Sequence, residues 1–133
     1  MKRISESRAA EAAERKRSGE MNCAQAVAVT YADVAGVSQQ TMVGAAASFG
    51  SGMGTMHGTC GALIGAGIVY GMMVPDRVKA RAGMKRIFEG FEKSCGATIC
   101  CDLKLGTGTN GAVACEHCVA EASRLLESVV EDL

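Results

Sequence analysis

The chain has 133 residues, of which 48% are hydrophobic and 21% are charged, with 14 basic residues balanced by 14 acidic ones. This length and composition predict one soluble domain, residues 1–133, whose core is large enough to fold without cross-links. The balanced charge and the few aromatic residues (two Tyr, three Phe and no Trp) argue against nucleic acid as a partner, because nucleic-acid binders carry a basic excess and RNA readers stack bases on aromatic rings.

The first third of the chain predicts three helices, over residues 5–18, 23–35 and 39–48. The first ends at Gly19 and has an apolar face made almost entirely of alanine, so we expect residues 1–20 to form a peripheral helix. Asn22 and Ser38 are placed to cap the second and third helices, and Gly36 ends the second. We expect the first helix to be dispensable for a site formed by the rest of the chain. Whether this helix forms a homodimer contact is left open.

A glycine-rich loop, residues 49–58, leads to a very apolar helix predicted over residues 60–74. Pro75 closes that helix, and Asp76 is placed to cap the next. The segments that follow are a helix over 77–94, a short helix over 98–105, a loop over 106–111 and a last helix over 115–133. Because no strand-like alternation occurs, the chain predicts an all-α, compact multi-helix bundle around its central Gly/Ala-rich helix.

From Thr41 to Pro75 the chain carries no formal charge, so a membrane segment has to be weighed against a buried helix. The glycine-rich loop divides this stretch, and the apolar helix that remains is about 15 residues long, shorter than the roughly 20 residues that span a bilayer. We therefore expect a helix buried in a soluble protein and no membrane association.

Seven cysteines are the main functional signal of the sequence. The N-terminal stretch is dense in charge and offers no apolar run that could serve as a signal peptide, so we expect a cytoplasmic protein. Because thiols are kept reduced in the cytoplasm, clustered cysteines there indicate metal binding or redox chemistry before structural disulfides.

Four of the cysteines are predicted at or within the first turn of a helix: Cys23, Cys60, Cys101 and Cys115. Unpaired backbone amides and the positive end of the helix dipole lower the pKa of a thiol there, which favours the thiolate that binds a metal or attacks a disulfide. Four such helix starts that point to one place would form an anionic thiolate site. The alternative is that small cysteines fill a glycine- and alanine-rich core.

Other residues near these cysteines are secondary candidates. Cys118 completes a Cys-x-x-Cys spacing with Cys115, which zinc sites, iron–sulfur sites and dithiol redox pairs share, so Cys118 is an alternative fourth ligand. His57 precedes Cys60 by three residues and is either a further ligand or a solvated loop side chain. Cys95 lies near a predicted helix end, where we expect only a structural role.

The glycine-rich loop is unlike a nucleotide-binding loop, because it follows a helix and lacks a Gly-Lys-Ser/Thr ending. Its glycines are better suited to let the backbone approach a cluster and donate N–H groups to its sulfurs. The candidates for this role are Gly52, Gly54 and Gly61. Of the adjacent Cys100 and Cys101 only one can face such a site, because consecutive helical side chains diverge by about 100°. A cap at Thr98 favours Cys101.

Three segments carry a resemblance to a known family: Asn22-Cys23-Ala24-Gln25, the glycine-rich loop and Cys60-Gly61-Ala62-Leu63-Ile64-Gly65. After its first helix, the chain resembles the C_GCAxxG_C_C family of redox-active proteins, and Cys101 to Gly106 is similar to the family's third motif. The resemblance implies that the four family cysteines are Cys23, Cys60, Cys101 and Cys115. It also implies an iron–sulfur or thiol redox site, often in a protein encoded near a transporter, and a similar domain occurs in a haem-containing split-Soret cytochrome. The cysteines additional to this pattern are Cys95, Cys100 and Cys118.

We therefore expect a redox-active electron-transfer protein in which these four family cysteines bind an iron–sulfur cluster, since thiolates favour iron–sulfur clusters or zinc over hard metals. Two alternatives stay open: a cofactor-free thiol–disulfide oxidoreductase that uses two of the cysteines, and a structural zinc-binding adaptor domain. The expected partner is a redox protein of unknown identity. Whether the chain is an enzyme is left open.

Overall fold

A computed structural model describes residues 4–109 and 111–133. The described residues form eight α-helices and contain no β-strand beyond an isolated bridge between Thr59 and Ile99. In chain order the helices are α1 (Ala9–Arg17), α2 (Cys23–Thr30), α3 (Ala32–Ala35), α4 (Gln39–Ala46), α5 (Gly61–Met73), α6 (Arg77–Cys95), α7 (Cys100–Leu105) and α8 (Cys115–Glu131), with a 3₁₀ turn at Ala47–Phe49 after α4. The predicted all-α fold is confirmed.

Side-chain caps start three helices where the sequence predicts them. The Asn22 side chain accepts a hydrogen bond from the Gln25 amide (2.8 Å), and the Gln25 side chain accepts one from the Asn22 amide (3.1 Å), which completes a capping box. Ser38 caps α4 and Asp76 caps α6 in the simpler one-sided way. The box at Asn22 fixes Cys23 as the first residue of α2.

The helix predicted over residues 23–35 is divided in two at Tyr31. The Tyr31 backbone (φ −110°, ψ 19°) leaves the helical region, so α2 ends and α3 begins there. Thr30 contributes to the break, because its hydroxyl donates a hydrogen bond to the Ala26 carbonyl one turn back (2.7 Å).

The short helix predicted from Thr98 begins at Cys100 instead. The Thr98 carbonyl accepts a hydrogen bond from the Cys60 amide (2.7 Å), and Ile99 bridges to Thr59, so residues 98–99 are held extended. Thr98 is therefore not the cap of α7. The register of this helix is decided by a segment far away in the sequence.

Helix α5 packs against α2, α6 and α8. Its approach to α2 is so close that a Cβ atom at Gly65 would lie 2.5 Å from the Ala24 carbonyl oxygen, which only glycine avoids. At its start, a Cβ atom at Gly61 would lie 3.3 Å from the Cβ atom of Cys23. The close packing thus brings the first residues of α5 and α2 side by side. None of the helices in the described part of the chain combines the length and the apolar character that crossing a bilayer requires.

Candidate redox site

Five cysteines line one small cavity of about 20 Å³. They are Cys23, Cys60, Cys100, Cys115 and Cys118. Three of them are the first residues of α2, α7 and α8, Cys60 immediately precedes α5, and Cys118 lies one turn into α8. The structure thus brings together Cys23, Cys60 and Cys115, and the starts of four helices meet at the cavity.

Cys23 and Cys115 form one hydrogen-bonded thiol pair in this cavity. The hydrogen bond from Cys23 lowers the pKa of Cys115 to about 6, and the charges of Lys104 and Lys16 act in the same direction. The same hydrogen bond, together with burial, raises the pKa of Cys23. The pair therefore holds one proton on Cys23 and a thiolate on Cys115 near neutral pH.

Cys118 lies between two other thiols, Cys60 and Cys95, and is in hydrogen-bond contact with both. These contacts raise the pKa of Cys118 and lower the pKa of each of its neighbours. The Cys60 sulfur also accepts hydrogen bonds from the backbone amides of Ala62 and Leu63 at the start of α5, which further lowers its pKa. Cys60, Cys118 and Cys95 thus form a continuous chain of thiols that starts at the cavity.

Two lysines also line the cavity, Lys16 from α1 and Lys104 from α7. Burial raises the pKa of Cys100, and the charge of Lys104 opposes that rise. Neither lysine is predicted from the sequence. Lys104 follows Cys100 by four residues on the same face of α7, a spacing that could have identified it. Nothing local marks Lys16, because its position depends on the packing of α1 against α8.

The glycine-rich loop forms one wall of the cavity. Gly52 lines it with a positive φ of 58°, and a Cβ atom there would lie 2.7 Å from the Cβ atom of Cys100, so glycine is needed both for conformation and for space. Gly61 lines the cavity as well, and a Cβ atom there would lie 2.8 Å from the Phe49 carbonyl oxygen. Gly54 has a positive φ but is not part of the cavity wall.

The structure does not bring Cys101 and His57 to the cavity wall. The Cys101 sulfur lies 4.0 Å from His57 Nδ1 and 3.9 Å from Asp102 Oδ1, and His57 is exposed. Because α7 begins at Cys100, that residue takes the position at the cavity that the sequence analysis gave to its neighbour. Ligand roles for Cys101 and His57 stay predictions.

All seven cysteines are free thiols. Within residues 4–109 and 111–133, no three His, Cys, Asp or Glu side chains form a group that could hold a metal ion. The cavity thiols instead contact one another in pairs: Cys23 contacts Cys115, and Cys60 contacts Cys118. This pairing is the main geometric property of the site.

A protein-family model described as "Putative redox-active protein (C_GCAxxG_C_C)" matches residues 21–129, a range that includes every cysteine of the chain. The chain therefore belongs to this family, as its motifs predict. No curated protein and no solved structure matches it.

Proposed function

We propose that this member of the C_GCAxxG_C_C family is an electron-transfer protein whose cavity cysteines bind an iron–sulfur cluster and exchange electrons with a separate redox protein. One observation carries the proposal: two hydrogen-bonded thiol pairs, Cys23 with Cys115 and Cys60 with Cys118, line the same cavity. When bound, such a cluster supplies one-electron oxidation and reduction.

The pairing of the thiols favours a two-iron cluster over a single metal ion. A structural zinc ion takes four donors that converge on one point, whereas the cavity thiols contact one another in two separate pairs. A [2Fe–2S] cluster is held by four thiolates, two on each iron, so its donors stand in pairs. Cys23, Cys115, Cys60 and Cys118 would hold such a cluster, and the zinc adaptor is not favoured.

The surroundings of the four thiols suit an anionic group. The amides of Ala62 and Leu63 donate to the Cys60 sulfur, and the positive charges of Lys16 and Lys104 offset negative charge at the cavity. The cavity of about 20 Å³ has room for about one water-sized group. The two pairs must therefore move apart, and their protons must leave, when a cluster binds.

This ligand set differs in one residue from the set that the family motifs imply. Cys118 takes the place of Cys101, because Cys118 lines the cavity in contact with Cys60 whereas Cys101 is outside the wall. Cys100 is a fifth thiol at the cavity, and Gly52 and Gly61 let the backbone come close to the sulfurs.

A second candidate is a metal-free thiol–disulfide oxidoreductase. It is favoured by the difference in pKa within one pair, since the pKa of Cys115 is lowered and that of Cys23 is raised. The Cys115 thiolate attacks a disulfide of a partner protein and displaces one partner thiolate, which takes up a proton. Cys23 then loses its proton and attacks the Cys115 sulfur, which displaces the second partner thiol. A Cys23–Cys115 disulfide remains, and its two electrons have passed to the partner disulfide.

Anaerobic reconstitution with iron and sulfide, followed by metal analysis and visible spectroscopy, separates the two candidates. For a two-iron cluster we expect about two irons per chain and broad visible bands. Cys118→Ser should lose both, and Cys101→Ser is the matched control that should keep them. Absence of iron in the wild type, with a Cys23–Cys115 disulfide after mild oxidation, supports the second candidate, and stoichiometric zinc would contradict both.

A further inference from the structure

An open cleft of about 450 Å³ lies where the end of α6 meets the start of α8. Its wall consists of residues 93–96, 108–109 and 111–114 together with His117. Val113 lines both this cleft and the thiol cavity. The two spaces are therefore neighbours inside the fold.

Cys95 connects the cleft with the cavity. It is the last residue of α6, it is only 5% exposed, and it forms part of the cleft wall. Its thiol contacts that of Cys118, which lines the cavity. A pair of thiols in contact thus stands between the cavity and a space that is open to small molecules.

The cleft has the size and the lining of a site for a small polar ligand. Its volume of about 450 Å³ falls within the roughly 300–1,000 Å³ of small-molecule pockets. Thr109, His117 and the backbone of three glycines offer hydrogen-bonding groups, and Lys93 supplies a positive charge. Glu121, whose charge acts on Cys95, pairs with Arg124 and accepts a hydrogen bond from Ser94.

We propose that this cleft is a second reaction site, at which a small polar disulfide that carries carboxylate groups, of the glutathione type, oxidises the Cys95–Cys118 pair. The pair, the polar wall and the lysine together carry this proposal, and none of them requires a metal. In terms of the proposed function, oxidation of Cys118 at the cleft removes one of the four cavity ligands, so the cleft would control cluster loading.

The reaction balances as two exchange steps. Cys95, once its proton has left, attacks one sulfur of the small disulfide, so that a mixed disulfide forms and one small thiolate leaves and takes up a proton. Cys118 then loses its proton and attacks the Cys95 sulfur, which releases the second small thiol. Two electrons pass from the cysteine pair to the small disulfide, and a Cys95–Cys118 disulfide remains.

The test uses the full chain, reduced and free of metal, with oxidised glutathione as the probe. In Cys118→Ser the resolving thiol is missing, so we expect a glutathione adduct to accumulate on Cys95, located by peptide mass mapping after the free thiols are blocked. The wild type under the same conditions should form a Cys95–Cys118 disulfide. Because no iron is present, this outcome is independent of the iron measurements that test the proposed function.

Adduct on the half-exposed Cys101 or on Cys115, with Cys95 unmodified, would overturn the proposal. Lys93→Gln tests the charge of the cleft: it should slow the reaction of Cys95 with oxidised glutathione by roughly 2–10-fold. The uncharged bis(2-hydroxyethyl) disulfide should react at the same rate in both proteins, and equal slowing of both probes would reject the assigned ligand class. If Cys118→Ser fails to fold by circular dichroism, the wild-type cross-link decides alone.

Discussion

At the start of α8, Cys115 and Cys118 contact other thiols. Near the end of the same helix, the Glu127 carboxylate accepts hydrogen bonds from oxygen and nitrogen donors. Glu127 accepts hydrogen bonds from the Ser7 hydroxyl (2.8 Å), from the Arg8 amide (2.7 Å) and from the Tyr31 hydroxyl. We call this second region, with Asp33, the polar clamp, and the five cavity cysteines with their contacts the thiol end. One helix therefore connects a buried group of thiols with a partly exposed polar region of different chemistry.

The polar clamp is closed by the Arg8 guanidinium, which donates to the Thr30 carbonyl (3.0 Å) and pairs with Asp33 (2.7 Å) above the Tyr31 ring. A hydrogen bond to a charged group stabilises a fold by about 1.5–3 kcal/mol, whereas a thiol is a weak donor and a weak acceptor. The clamp thus stabilises the bundle, and the thiol end keeps its sulfurs available for reaction. Stability and reactivity are placed at opposite ends of the same helix.

Helix α1 connects the two regions. The segment before it is held by the clamp through Arg8, and Lys16 near its end lines the thiol cavity. This position argues against the sequence-based expectation that the helix over residues 5–18 is dispensable for the site. A break in the clamp and a change at Lys16 should therefore have different consequences, one for stability and one for the thiols.

The largest functional effect should come from the thiol end. Cys115→Ser should reduce the iron bound after anaerobic reconstitution to the background level, because a serine oxygen does not replace a soft thiolate ligand. The free energy of unfolding should fall by no more than about 2 kcal/mol, since one weak hydrogen bond is exchanged for another. Iron content at the wild-type level would contradict the assigned ligand set.

A change in the polar clamp should lower the stability of the fold and leave iron binding unchanged. Glu127→Ala leaves the buried Tyr31 hydroxyl and the Arg8 amide without their acceptor, and we expect a loss of about 2–3 kcal/mol in the free energy of unfolding, measured by chemical denaturation. Bound iron per folded chain should be unchanged. Glu131→Ala, at an exposed position of the same helix, is the control and should change stability by less than about 0.5 kcal/mol.

The same Gly→Ala substitution can be compared at two positions of α5. The change in helix propensity is then the same, and only the packing around the new Cβ atom differs. A Cβ atom at Gly65 would press on the Ala24 carbonyl oxygen of α2, so Gly65→Ala should destabilise by about 1–3 kcal/mol. A Cβ atom at Gly71 meets nothing within 4 Å, so Gly71→Ala should stabilise by about 0.5–1 kcal/mol. Equal changes in the two melting temperatures would show that α5 and α2 do not pack this closely.

The thiol end should also show a pH dependence in the metal-free protein. Since the pKa of Cys115 is lowered to about 6 and only the thiolate reacts, its alkylation by iodoacetamide should speed up as pH rises through about 6 and then level off. Lys16→Gln should shift this rise to higher pH, because a positive charge that favours the thiolate is lost. A rise centred where an ordinary thiol titrates, near pH 8.5, would show that the hydrogen bond from Cys23 is absent.

Local signals explain how much of the fold the sequence predicts. Asn22 and Asp76 cap helices, and Gly96 ends α6 with a positive φ of 86°, as their residue types indicate. Such signals act within one turn and can be recognised without knowledge of the rest of the chain. The break at Tyr31 has only a weak local signal in Thr30, and the Tyr31 hydroxyl is also held by a carboxylate from α8 at the far end of the sequence.

The same distinction between local signals and distant contacts applies to the candidate site. Cys23, Cys60 and Cys115 lie at the cavity where helix-start reasoning points, and of these three starts that of α2 carries a side-chain cap. The contact of Cys95 with Cys118 joins the end of α6 to α8, so no spacing in the sequence indicates it. Side-chain positions that depend on packing between distant helices could not be predicted.

The smallest effect should come from Cys101→Ser, although the sequence favours this residue over Cys100 as the one that faces the site. In the structure Cys100 is buried against Gly52 in the cavity wall, and the Cys101 sulfur lies 4.0 Å from His57 Nδ1 and 3.9 Å from Asp102 Oδ1. Sulfur contacts of that length contribute little, so Cys101→Ser should keep the bound iron and change the free energy of unfolding by less than about 0.5 kcal/mol. Cys100→Ser puts a hydroxyl into the packed wall and should cost about 1–2 kcal/mol. Loss of iron in Cys101→Ser with retention in Cys118→Ser would instead restore the ligand set that the family motifs imply, and would require α7 to turn when a cluster binds.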